Sequence, residues 1–127
     1  MKFICLGYIE PDKFERMSES DRNAFLDDCF TYDDVLQRNG HFAGGEALQN
    51  ASTAKTLRWK NGKVSVTDGP YAETQEVLAG YWVVECESFD RATAIANRLS
   101  ACPYPAGAAA PTADVRPIVE GRAELGF

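Results

Sequence analysis

Histidine is almost missing from this 127-residue chain, His41 being the single one, and the four cysteines, Cys5, Cys29, Cys86 and Cys102, stand far apart with no C-x-x-C pair. Zinc centres are built from closely spaced His and Cys ligands, so no metal set is expected. Each cysteine has apolar neighbours and reads instead as a small reduced core residue, as in a cytoplasmic protein. Long hydrophobic runs are missing too. The apolar stretch at residues 1–6 is too short for a secretory signal, and no stretch could span a bilayer. Basic charge is scarce: 13 Lys and Arg face 19 Asp and Glu, a net charge of -6. Residues 15–34 alone hold seven acids against two arginines. Such a surface repels phosphate backbones and anionic lipid, which excludes nucleic acid and membrane surfaces as partners. The G-x-G-x-x-G, P-loop and G-x-S-x-G patterns are also lacking, so no nucleotide or other cofactor is expected.

What is present suits one domain with its own core. Residues 3–9 are apolar almost throughout and read as a central strand; Glu10-Pro11-Asp12 ends it and leads into a polar connection. Ser18 or Ser20 is placed to cap a helix, along which Phe25, Cys29, Tyr32 and Leu36 recur on one stripe. Asp27, Asp28, Asp33 and Asp34 fall mostly off that stripe and read as a solvated face. Asn39-Gly40 closes the helix. Residues 41–48 form a second strand, in which Gly44-Gly45 suggests a bulge or a close backbone approach. Asn61-Gly62, between two alternating arms at 56–60 and 63–67, predicts a hairpin with a type I′ turn. A long strand at 77–87 carries Tyr81 and Trp82. A helix opened by Ser88 follows, with Ala92, Ile95, Ala96 and Leu99 on one face and a stop at Cys102-Pro103. A Pro/Ala/Gly loop over 103–112 leads to a last strand at 114–119, and 121–127 reads as a C-terminal tail after a single domain at 1–120.

Strand, helix, strand, inserted β-hairpin, strand, helix, strand is, without the hairpin, the split βαβ order of a ferredoxin-like α+β fold. It places two helices on one face of an antiparallel sheet. A single helix layer leaves the other sheet face bare, so a homodimer through that face is expected.

The stretch Asp68-Gly69-Pro70-Tyr71-Ala72-Glu73-Thr74-Gln75-Glu76, followed by Leu78-Ala79-Gly80-Tyr81, resembles the signature of the DGPF proteins within the YCII-related family. Residues 40–48 are similar to that family's Gly-x-x-x-Gly-Gly-Glu-x-Leu segment, and Val115-Arg116-Pro117-Ile118 to its closing strand. The resemblance implies a dimeric α+β barrel with a pocket between helices and sheet. It also implies either an enzyme, as in relatives that break down chlorinated aromatics or carry a His and Asp pair, or a partner of an alternative sigma factor. Tyr71 and Gln75 depart from the usual Phe and Lys, and residues 10–30 hold no histidine where relatives place theirs.

Within the bend, Asp68 is a candidate general base and Glu73 a candidate acid or tuning carboxylate, although both have a structural role open to them, Asp68 as a turn residue and Glu73 near a helical N-terminus. His41 is the one side chain of a type that ordinarily titrates near neutrality, with a plain surface role as its alternative. Arg116 is placed to clamp an anion or to pair with Glu46 or Glu85, and Tyr71 and Tyr81 to stack on a planar substrate or to pack in core and interface. Two functions follow as expectations: a cofactor-free lyase, isomerase or dehydrohalogenase acting on a small, aromatic molecule, or a non-catalytic ligand-binding or regulatory protein.

Overall fold

In the computed structural model, which describes residues 1–100 and 112–126, the two most apolar strands lie side by side. They are β1 (Lys2–Ile9) and β5 (Val77–Glu85), flanked by β2 (Phe42–Ala47) and β6 (Thr112–Pro117) in a four-stranded antiparallel sheet of order β2-β5-β1-β6. This is the ferredoxin-like α+β arrangement expected from the element order. Two long helices, α2 (Glu19–Arg38) and α3 (Phe89–Ser100), pack on one face. The expected positions of the Leu99 side chain, the Cys102-Pro103 stop and the loop at 103–111 lie outside the described residues.

Local chemistry accounts for the element ends. The Ser18 hydroxyl accepts the Asp21 N–H at 3.0 Å and caps α2, and Gly40 takes φ +75° to leave the helix. Between Glu10 and Ser18, where a plain connection was expected, Pro11 opens the short helix α1 (Pro11–Glu15); a proline at the first helical position gives up no intrahelical hydrogen bond. Short 3-10 turns form at Ala51–Thr53, between β2 and the hairpin, and at Arg122–Leu125, within the stretch expected to be a tail.

Asn61 and Gly62 both have positive φ, 52° and 76°, as a type I′ turn requires, and join β3 (Lys55–Lys60) to β4 (Lys63–Asp68). These two strands pair only with each other and form a separate sheet. The paired glycines of β2 mark a bulge: the register with β5 shifts between Phe42 and Gly44, and Gly44 has φ +141°.

Side-chain size changes along the sheet in three cross-strand rows. Phe42, Val84, Phe3 and Pro117 form the first, Gly45, Trp82, Cys5 and Val115 the second, and Ala47, Gly80, Gly7 and Ala113 the third. At the large end Phe3, Cys5, Val84 and Cys86 close on Leu36 of α2 and Ala92, Ile95 and Ala96 of α3, and this cluster is the core. Burying a side chain such as Phe3 or Leu36 contributes about 1.5–3 kcal/mol. At the other end, the row of Gly and Ala leaves the helix layer nothing to rest on.

Candidate functional site

The space above the Ala47-Gly80-Gly7-Ala113 row is a hollow of about 520 Å³. Its floor is flat because the strands carry only glycine and alanine along that row. A Cβ at Gly80 would stand 2.9 Å from the Glu46 carbonyl oxygen, and one at Gly45 would stand 2.6 Å from that of Tyr81. Phe14 of α1 and Phe25, Cys29 and Asp33 of α2 form the roof. Residues 25, 29 and 33 are each four apart, so they share one face of the helix. The rings of Phe14 and Phe25 meet edge to face with centroids 5.9 Å apart, which fixes α1 against α2. Leu26, Phe30 and Leu48, all exposed, border the opening.

Into this apolar space α2 places one carboxylate. The indole Nε1 of Trp82 donates to Asp33 Oδ1 at 2.6 Å, and Trp82 is the one side-chain donor to that group among the described residues. Burial pushes the Asp33 carboxyl above its ordinary range; the Trp82 hydrogen bond opposes the shift and neighbouring Asp34 adds to it. Among the described residues the lining includes Asp33 and Glu46 and no Lys, Arg or His; Glu46, opposite Tyr81, is exposed, and strand alternation sets its side chain on the sheet face away from the helices. The undescribed 101–111 stretch contains no charged residue at all. Among the described residues no cluster of His, Cys, Asp and Glu is arranged to hold a metal ion, and no helix is long and apolar enough to cross a membrane.

Residues 1–119 match the YCII-related domain. The chain belongs to the YCII-related family. A 53-residue stretch, 42% of this chain, is 43% identical to an uncharacterized protein of Rhizobium meliloti (strain 1021), and it spans 43% of that relative's length. The family and the ferredoxin-like fold agree with the resemblance carried by the DGPY, Gly-Gly-Glu and Val-Arg-Pro-Ile segments.

The candidate residues of the bend, Asp68, Tyr71 and Glu73, and the candidate His41 lie outside the lining of the hollow. Asp68 lies at the end of β4 with its side chain 86% exposed and is ion-paired with Lys55 Nζ at 2.6 Å. Glu73 is exposed, and Tyr71 is 78% exposed, with its carbonyl oxygen accepting from Arg58 Nη2 at 2.7 Å. His41 stitches α2 to the sheet: its N–H donates to the Leu36 carbonyl, its Nδ1 lies 2.9 Å from the Glu85 carbonyl oxygen, and its own carbonyl accepts the Glu85 N–H. None of these four borders the hollow. Glu46 and Tyr81, opposite one another on β2 and β5, do border it. Arg116 is exposed on β6, opposite Ile4.

A second, open cleft of about 500 Å³ adjoins the end of the bend, between Tyr8, Glu10, Gln75, Glu76 and Asp114. There the Thr112 hydroxyl donates to Glu76 Oε1 at 2.9 Å, tying the bend to β6.

Asp33, expected from its acidic neighbours to lie on a solvated face, lines the hollow instead. Asp28 also departs from that assignment, since both its oxygens accept from Arg98 of α3 at 3.1 Å. The available signal was spacing: Asp33 follows Cys29 by four residues and Phe25 by eight, so it continues the apolar stripe.

Proposed function

We propose that this YCII-related protein takes a small, planar, apolar molecule into the hollow between α2 and the sheet and moves a proton on it with Asp33. The observation that carries this reading is one carboxyl held by Trp82 in an otherwise apolar pocket, with burial raising its proton affinity. A carboxyl shifted upward in this way is suited to both taking and returning a proton, the elementary step of isomerisations and eliminations. The volume falls within the usual range for small-molecule sites, and Phe14, Phe25, Phe30 and Trp82 supply faces and edges for a ring.

Charge narrows the substrate. An anion entering the hollow would lose water against the Asp33 carboxyl with no cation in the described lining to receive it, so the substrate is neutral or positively charged. Glu46 and Tyr81 border the hollow, and Arg116 has no part in it.

The test is a thermal-shift panel of similar size and different charge: indole, benzylamine and benzoate. Stabilising compounds are then followed over time for turnover. Stabilisation by the first two, with turnover of a stabilising scaffold that is lost in Asp33→Asn, supports the reading. Preferential stabilisation by benzoate, or turnover undiminished in Asp33→Asn, overturns it. Stabilisation without turnover favours the second reading, a ligand-binding or regulatory protein. That reading is favoured by the position of His41 and Asp68 outside the hollow, which leaves Asp33 without a histidine partner there.

The same reading includes a cytoplasmic homodimer. Ile4, Leu6, Tyr8, Tyr81 and Val83 are all partly exposed, and strand alternation sets Ile4 and Leu6, with their partners Val83 and Tyr81, on the face away from the helices. A second copy laid against that face would complete an α+β barrel.

A further inference from the structure

Every residue from 57 to 68 is exposed, yet four of them are large and apolar: Leu57 at 64%, Trp59 at 74%, Val64 at 52% and Val66 at 57%. They are not scattered. Leu57 pairs with Val66 and Trp59 with Val64, so the four side chains form two adjacent cross-strand pairs on one face of the β3–β4 hairpin. The opposite face carries Thr56 with Thr67, Arg58 with Ser65 and Lys60 with Lys63. A two-stranded hairpin has no hydrophobic interior and is marginal in water unless one face is covered.

Arg58, on that opposite face, donates to the Tyr71 carbonyl in the adjoining bend at 2.7 Å, and hydrogen bonds close the base of the hairpin. There the Gly69 N–H donates to the Ala54 carbonyl at 2.7 Å and the Thr56 hydroxyl to the Gly69 carbonyl at 2.8 Å. Six-residue strands rising about 3.3 Å per residue carry the tip roughly 20 Å from that base.

Charge identifies what covers it. The hairpin holds Lys55, Arg58, Lys60 and Lys63 against Asp68 alone, within a chain whose net charge is -6. The rest of the molecule is therefore strongly acidic, and its exposed acids include Glu46, Glu85 and Asp114 on the sheet strands. A basic arm with a bare apolar face and an acidic body are complementary, and the chain carries both.

We propose that the β3–β4 hairpin is an exchange arm: each copy lays the Leu57-Val66 and Trp59-Val64 face on the acidic body of a second copy, and receives that copy's arm in return. The contact is isologous, so one set of substitutions removes it twice per dimer. Lys60 and Lys63, beside the tip, supply the long-range attraction, and the four apolar side chains supply the contact itself.

The experiment compares the full-length protein with Trp59→Ser/Val64→Ser and, separately, Lys60→Glu/Lys63→Glu, by sedimentation over a concentration series. The substituted side chains are exposed in the single copy, so far-UV circular dichroism stays unchanged and folding does not confound the result. The wild type is expected at twice the 14.0 kDa chain mass, with the dissociation constant raised at least tenfold in the apolar variant. The charge variant is expected to dimerise more weakly and to lose the salt dependence of the wild type. A wild-type dimer that the apolar variant matches in affinity overturns the arm and leaves dimerisation through the sheet face standing. A monomeric wild type overturns both. Trp59 emission gives an independent readout: it shifts to the blue with rising protein concentration in Trp82→Phe, and an emission maximum constant across the dimerisation range overturns the arm.

Discussion

The indole N–H of Trp82 spans 2.6 Å to Oδ1 of Asp33 and is the polar bond between the floor and the roof of the hollow. Trp82→Phe keeps the ring volume and removes the donor. The expected loss is about 1–3 kcal/mol, the usual cost of leaving a partly buried charged acceptor without its partner. Urea denaturation at neutral pH measures it, and a loss below roughly 0.5 kcal/mol would show that water replaces the indole at no cost.

The Asp33 carboxyl also sets a pH dependence. Its folded-state proton affinity is raised, mainly by burial. The protonated form is thus favoured by folding, and this contribution is fully present below the unfolded value of about 3.9 and lost as pH rises through the folded value. Asp33→Asn removes the titration. The melting temperature of the variant relative to wild type is therefore expected to rise between about pH 3 and pH 7. A relative stability that falls over this interval would mean that the charged carboxylate is better solvated in the folded chain than its burial implies.

Substitutions in the floor separate fold from site. Gly45→Ala drives a methyl to 2.6 Å from the Tyr81 carbonyl oxygen, a backbone atom that cannot swing away, and is expected to cost about 1–3 kcal/mol. At Gly7 the added carbon would meet Trp82 Cζ3 at 3.4 Å, an ordinary contact. Gly7→Ala is expected to keep the melting temperature within a few degrees while reducing the shift produced by any compound that fills the hollow. Equal ligand shifts in Gly7→Ala and wild type would place the bound molecule elsewhere.

Arg98 joins the helices. Its two terminal nitrogens each lie 3.1 Å from an oxygen of Asp28, and its guanidinium carbon stands 4.8 Å from the centroid of the Tyr32 ring. The pair is partly exposed, which screens it, so Asp28→Asn is expected to cost about 1 kcal/mol and to cost less at high salt. Thermal denaturation in low and high salt measures both effects.

Cys5 is expected to be an unreactive thiol. Burial, with a smaller contribution from nearby Cys86, raises it to about 11, so almost no thiolate exists at neutral pH. Alkylation followed by peptide mass mapping should label Cys5 only on the timescale of unfolding. Rapid labelling of the native protein would show that the core opens at this strand.

The parts of the fold legible in the sequence were those fixed by local chemistry. Ser18, Asn39-Gly40 and Asn61-Gly62 each dictate a backbone event within a few residues, and the structure places a cap, a helix end and a type I′ turn there. The Gly44-Gly45 bulge was legible for the same reason. The resemblance implied a pocket between helices and sheet, but the residues that form it were not legible, because its floor depends on Ala47, Gly80, Gly7 and Ala113 meeting in one row from four separate strands, a register that no single segment encodes. The carboxylate-rich bend drew attention by density of charge, whereas Asp68 lies in solvent beside Lys55. Asp33 was hidden by the reverse effect: an acid inside an acidic run looks solvated unless its place on the helix stripe is counted.

Gly45 and Gly80 face neighbouring carbonyl oxygens so closely that neither can acquire a side chain without displacing the strand beside it. Inherited change in the shape of the hollow is thereby channelled away from these two positions, towards Gly7 and the helix above, where a substitution does not press on strand backbone. Divergent descendants of this chain would keep both glycines and differ elsewhere around the hollow.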